Sequence, residues 1–151
     1  MNFVTVSKEI IDNNGWLEPR DMAHISKKNL LQLFLFEVRI VSRQVPIRFI
    51  ERAGDFAIVG LYGLFPGHNL FIEQDGKAYW EYSPATTRLG CFSFRSRSEG
   101  NYEILVDQDS EMLVEAVHEN ANLFRDENGD VSGGYREKIE FIKQLAAHSA
   151  V

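Results

Sequence analysis

Asn69-Leu-Phe-Ile-Glu73-Gln-Asp75-Gly76-Lys77-Ala78-Tyr79-Trp80-Glu81-Tyr82 reads as a β-hairpin. The apolar and aromatic segments Asn69–Glu73 and Ala78–Tyr82 flank Asp75-Gly76, two residues that tolerate the positive φ of a tight connection. Alternation places Tyr79 on one face of the second segment and Trp80 and Tyr82 on the other. Upstream, Pro46–Glu51 and Phe56–Leu64 are strand-like runs joined through Arg52-Ala53-Gly54-Asp55. Downstream, Cys91–Arg97 and Tyr102–Val106 are joined by Ser98-Glu99-Gly100-Asn101. Connections this short favour antiparallel neighbours, because a parallel pair needs a long crossover.

Helical signals lie on both sides of these runs. Leu30, Phe34, Val38, Val41 and Val45 recur at helical spacing, while Leu31, Leu33 and Leu35 alternate. The stretch is therefore ambiguous by pattern, with helix favoured for its second half. Pro46 ends it, having no amide donor and disfavouring helical geometry at Val45. Ser26 is placed to cap a helix starting near Lys27, and Asn13-Asn14-Gly15 signals a turn. Ser110–Val117 reads as a short helix. In Tyr135–Ala147 the residues Tyr135, Ile139, Ile142 and Leu145 form a helical stripe widened by Phe141 and Ala146, suited to packing on a sheet. The expected fold is α+β: an antiparallel β-meander sheet packed against a few helices, including a C-terminal helix, in one domain spanning residues 1–151.

Composition narrows function. The chain has 151 residues and eleven phenylalanines, enough for a sizeable core. Its net charge of −6 disfavours binding to phosphate backbones. Arg88, Arg95 and Arg97 are the densest basic group, and in a strand Arg95 and Arg97 share a face, the usual pattern of a solvated surface. The single cysteine, Cys91, excludes an internal disulfide and a cysteine-based zinc site and reads as a small buried residue. Met1–Arg20 lacks the uninterrupted apolar core of a secretory signal. The most apolar stretch, Asn29–Val45, is broken by Gln32, Glu37, Arg39 and Arg43, so no membrane span is expected. A cytoplasmic location follows as the expectation.

Motif tests return little chemistry. Asp126-Glu-Asn128-Gly-Asp130-Val-Ser132-Gly-Gly-Tyr-Arg-Glu137 has oxygens at the EF-hand positions 1, 3, 5 and 12. Position 6, however, is Val131 where a glycine is needed, and Asn128-Gly129 signals a tight turn instead. His24, His68, His118 and His148 are too scattered for a metal face. Gly60-Leu-Tyr-Gly63 with Gly67 lacks the Lys-Ser/Thr ending of a phosphate loop, so these glycines are expected to permit close backbone packing or a bulge. Asp107 and Asp109 end a strand, where acids commonly cap. No catalytic residue, metal ligand or cofactor is indicated.

In order along the chain, Pro46-Ile-Arg-Phe49, Gly60-Leu-Tyr-Gly-Leu64, Asn69-Leu-Phe71, Asp75-Gly76 with Trp80, and Tyr82-Ser-Pro84 resemble the bacterial SapC family. Arg88 and Phe92 fit the arginine and phenylalanine that follow in that family. Val106-Asp107 with Ser110, and Leu123-Phe124 with Asn128-Gly129, are similar to its later segments. The resemblance runs from about Glu37 to Leu145. It departs at Trp80, four residues after Gly76 instead of about two, and at Gly90-Cys91, where the family usually has Tyr-Pro.

The resemblance implies an accessory or binding role, of the kind associated with bacterial surface-layer loci or with loci encoding flavin-dependent halogenases and oxygenases. The leading expectation is a non-catalytic module acting on a protein or peptide partner, with His68, Asn69, Trp80, Tyr82 and Arg88 as candidate binding residues. Trp, Tyr and Arg dominate interface hot spots. The alternative is a small-molecule enzyme whose site assembles from His68, Asn69, Tyr82, Arg88 and Asp107.

Overall fold

The computed structural model describes residues 2–52, 55–97 and 101–148. In chain order the strands and α-helices are β1 (Phe3–Thr5), α1 (Lys8–Asn13), β2 (Asn14–Trp16), β3 (Leu30–Gln32), α2 (Val38–Val41), β4 (Ile47–Arg52) and β5 (Asp55–Leu61). Then follow β6 (Phe92–Ser96), β7 (Tyr102–Asp107), β8 (Leu113–Glu115), β9 (Asn122–Leu123) and α3 (Gly133–Ala147). The chain divides into two compact units, Met1–Glu18 with Leu89–Val151, and Pro19–Arg88.

The class is α+β with antiparallel pairing throughout, as the short connections require. The strands are shared among three-stranded sheets ordered β1-β7-β6 and β8-β2-β9 in the first unit and β3-β5-β4 in the second. Both hairpins flanking the central stretch form: β4 pairs β5 from Ile47↔Gly60 to Arg52↔Asp55, and β6 pairs β7 from Phe92↔Val106 to Ser96↔Tyr102. The turns expected at Ala53-Gly54 and Ser98-Glu99-Gly100 lie outside the described residues. The ambiguous stretch resolves into both readings. Its alternating start becomes β3, and its second half a 3₁₀ turn (Leu35–Glu37) leading into α2.

Four local expectations are corrected. The Asn69–Tyr82 segment reverses direction at Asp75-Gly76, with Gly76 at φ +87, yet it pairs through one bridge, Ile72↔Ala78, instead of two strands. Two ladder bonds cross it, Tyr79 N–H to the Phe71 carbonyl at 2.8 Å and Glu73 N–H to the Lys77 carbonyl at 2.9 Å, and the neighbouring donors are committed elsewhere. Leu70 N–H bonds the Tyr62 carbonyl at 2.8 Å, Phe71 N–H the Asn69 side chain at 3.0 Å, and Glu81 N–H the Gln44 side chain at 3.0 Å. Ser26 starts no helix at Lys27; it closes the 3₁₀ turn Ala23–Ile25 and donates its hydroxyl back to the Ala23 carbonyl. Asn13-Asn14-Gly15 is no turn, because α1 runs directly into β2. There a side chain at Gly15 would collide with the Asn122 carbonyl, its Cβ 2.7 Å away. Ser110–Val117 is not helical: Leu113–Glu115 pairs with β2 instead. So short a segment cannot nucleate a helix against a ladder offered by a distant strand.

The first unit packs around rings. Trp16 is fully buried and lies 5.4 Å from Phe92 and 5.0 Å from Phe124, and Tyr135 stacks edge-on against Phe124 at 4.8 Å. Tyr135 belongs to α3, the expected C-terminal helix, whose start is capped by the Ser132 hydroxyl accepting from Tyr135 N–H. Its buried residues are Tyr135, Lys138, Ile142 and Leu145. The second unit packs around Ile25, Leu31, Leu33, Val41, Val45, Tyr62 and Ile72, with Trp80 and Tyr82 laid against that cluster.

Candidate functional site

The residues singled out from sequence are largely occupied in holding the fold. Asn69 is buried; its amide donates to the Lys28 carbonyl at 3.1 Å and accepts from Phe71 N–H at 3.0 Å. The His68 side chain is exposed, and its carbonyl fills the space a Cβ on Gly63 would need. Trp80 meets Tyr62 edge-on at 5.4 Å and is partly buried. Tyr82 donates its phenol to Glu37 Oε1 at 2.9 Å. Arg88 is exposed, at the end of the 3₁₀ segment Ala85–Leu89. Asp107 belongs to the other unit, where its Oδ1 accepts from Asn2 N–H at 2.7 Å and Asp109 N–H at 3.2 Å.

Glu37 is the polar centre of the second unit and was read from sequence only as a break in an apolar run. It is fully buried. Its Oε2 accepts from Phe34 N–H at 2.9 Å, closing the first turn of the helical segment on itself. Its Oε1 accepts from the Tyr82 phenol and, at 2.6 Å, from Ala85 N–H. One carboxylate thus ties the Leu35–Val41 segment to the Tyr82–Ala85 loop. The signal was a glutamate framed by Leu33, Phe34, Val38 and Val41, where a solvated face would carry more than one charge.

Two phenols respond to this centre. Burial, then the hydrogen bond to Glu37, pushes the Tyr82 phenol up to about 12, against a smaller pull from the Arg88 charge. Burial foremost, with the Glu37 charge second, raises Tyr62 further still, and its hydroxyl is buried without a hydrogen-bond partner. Beside them His24 Nε2 lies 3.2 Å from the Thr87 carbonyl, and burial lowers the histidine's affinity for a proton. A carboxylate with both oxygens engaged by protein donors, flanked by phenols held neutral, is a structural clamp. It presents no free base to a substrate.

The remaining sequence candidates are also accounted for locally. Asp126 Oδ1 accepts from Asn128 and Asp130 N–H, so the EF-hand-like segment is a tight turn with Gly129 at φ +82. Among the described residues no group of three or more His, Cys, Asp or Glu gathers to hold a metal ion. Arg95 and Arg97 share a face as expected and converge on Glu103, at 3.8 and 2.6 Å. Cys91 is buried, and burial pushes its thiol up to about 12, which suppresses the reactive thiolate. Two surface concavities, of about 520 Å³ along α3 and about 370 Å³ beside α1, include none of His68, Asn69, Tyr82, Arg88 or Asp107.

What the second unit does present is apolar. Leu64, Phe65 and Leu70 are each about 70% exposed, on the loop that follows β5. The loop is pinned at both ends. Tyr62 N–H bonds the Asn29 carbonyl at 2.8 Å, and Asn69 N–H bonds the Ser26 carbonyl at 2.9 Å. Its tip turns at Phe65–His68, with Gly67 at φ +86. Of the glycines that superficially suggested a phosphate loop, two serve packing: a Cβ on Gly60 would stand 2.7 Å from the Tyr62 ring, and one on Gly63 would overlap the His68 carbonyl.

A model of the SapC family matches residues 12–151. The chain belongs to the SapC family. The match begins well before Glu37, where the resemblance read from the sequence starts, so the SapC family region takes in β2 and segments of both compact units. No curated protein and no solved structure matches the chain. In this SapC chain no helix among the described residues is long and apolar enough to cross a membrane.

Proposed function

We propose that this SapC family member is a non-catalytic accessory module that docks a protein or peptide partner through the Leu64–Leu70 loop. One observation carries the reading: three large apolar side chains are held out to solvent on a backbone that is itself hydrogen-bonded at both ends. Exposing them costs solubility, and fixing them beforehand lowers the entropy lost on binding, which is the usual economy of an interface anchor. His68, within the loop, supplies a polar rim in this reading, while Asn69 holds the loop's end from within and Trp80 packs on Tyr62 at its start. The alternative of an enzyme assembled from dispersed residues loses support, because the Asn69 amide and the Tyr82 phenol are both committed to internal partners.

The test is a paired substitution, Leu64→Ser with Phe65→Ser, used as bait in affinity purification from the native host. Loss of the wild-type partner, with thermal stability unchanged, is the expected result. Undiminished recovery of that partner overturns the assignment.

A further inference from the structure

Strand β4 lies at the edge of the β3-β5-β4 sheet. Leu61 N–H donates to the Pro46 carbonyl at 2.9 Å, and Ile47 stands opposite Gly60. In an antiparallel ladder this fixes the alternation: even-numbered residues of β4 bond β5, and Ile47, Phe49 and Glu51 turn their N–H and C=O groups outward. The outward edge is exposed. Phe49, on that edge, is 69% exposed, and Phe56, on the same face, is 75% exposed. An open edge flanked by exposed aromatics is a template for another strand.

We propose that the occupant is a second copy of this chain, with the two β4 strands pairing antiparallel about a two-fold axis at Phe49. The argument is one of register. With Phe49 opposite Phe49 of the copy, each outward residue meets an outward residue: Ile47 faces Glu51, and Glu51 faces Ile47. The two sheets become continuous, and Ile58-Phe49 on one copy meets Phe49-Ile58 on the other in one apolar row.

Charge selects this register over its neighbours. Centred on Phe49, the pairing sets Arg48 against Ile50, and no charged residue faces another. Centred one residue earlier, Arg48 faces itself; one residue later, Glu51 faces Phe49 and breaks the apolar row. Like charges directly opposed destabilise a strand pair.

Sedimentation of the full chain over a range of concentrations, with two variants, tests the pairing. Wild type dimerises as concentration rises. Phe49→Pro deletes an outward N–H and leaves the β4–β5 bonds intact, so it keeps the hairpin and weakens the dimer by about tenfold or more. Under mild oxidation Phe49→Cys gives a covalent dimer, whereas Glu51→Cys, opposite Ile47 of the copy, links far less; buried Cys91 stays silent. A wild-type chain monomeric at every concentration overturns the proposal. So does a dimer indifferent to Phe49→Pro, or equal linking by the two cysteine variants.

Discussion

In the unit formed by Met1–Glu18 and Leu89–Val151, four rings (Trp16, Phe92, Phe124 and Tyr135) meet at the centre, whereas in Pro19–Arg88 a mainly aliphatic cluster around Tyr62 is joined to a buried carboxylate. The first is held mainly by area removed from water, which is tolerant of exact geometry, with buried Lys138 paired to Glu18 at 3.0 Å at its margin. The second depends on Glu37 finding Phe34, Tyr82 and Ala85 together, since a buried charge without partners is strongly unfavourable. Their surfaces differ in the same sense. Leu35, Phe36, Ile40, Phe49, Phe56, Leu64, Phe65 and Leu70 are exposed in Pro19–Arg88, against Phe3, Val117, Leu123 and Val131 in the other unit. The lesson is a division of labour: polar side chains of Pro19–Arg88 are spent inside, and apolar ones are offered outside.

Denaturant unfolding of single variants would break or sharpen that contrast. The largest loss is expected from Phe124→Ala, about 4 kcal/mol, because it opens a cavity among the rings. Glu37→Ala is expected to cost about 3 kcal/mol by stranding three donors. Glu37→Gln, which keeps an acceptor, costs less. If Glu37→Ala cost nothing measurable, the carboxylate would not be the clamp described. Tyr82→Phe removes one bond to a charged acceptor and should cost about 1–2 kcal/mol. Tyr62→Phe should be neutral or stabilising, since its hydroxyl is buried without a partner.

A separate effect appears in alkaline solution. Cys91 is raised from 9.0 to about 12 in one unit, and Tyr82 from 10.0 to about 12 in the other. Both folded values lie above the unfolded ones, so the unfolded chain releases its protons first. Their contributions are complete below pH 9 and pH 10 respectively and are lost as pH rises towards 12. Midpoints measured across that range should fall, Cys91→Ala should delay the onset, and Tyr82→Phe should flatten the remaining slope. A fall unchanged by either substitution would place the alkaline sensitivity elsewhere.

Much of this fold was legible where the determinants are local. The apolar stripe of Tyr135–Ala147 specified α3, and short turns between β-branched and aromatic runs specified β4–β5 and β6–β7. What escaped depends on distant partners. Asp75-Gly76 does turn the chain and two ladder bonds cross it, yet the Asn69 and Gln44 side chains take the Phe71 and Glu81 donors that would have lengthened the ladder. Leu113–Glu115 became a strand because Asn14–Trp16 was available to pair with it. Glu37 could be seen but not understood, since its donors at Tyr82 and Ala85 lie in a later segment. Asn69, Trp80 and Tyr82, named from sequence as candidate binding residues, make internal contacts. The exposed tip at Leu64 and Phe65 had no periodicity to mark it, because exposure in a loop is set by where the flanking backbone is anchored.

The most direct measurement compares partner recovery by the Leu64→Ser/Phe65→Ser chain with recovery by Tyr82→Phe, both checked for folding by circular dichroism. Loss of the partner from the loop variant and its retention by Tyr82→Phe is the predicted outcome. Retention by the loop variant and loss from a folded Tyr82→Phe chain would contradict the division between an inner polar clamp and an outer apolar docking surface.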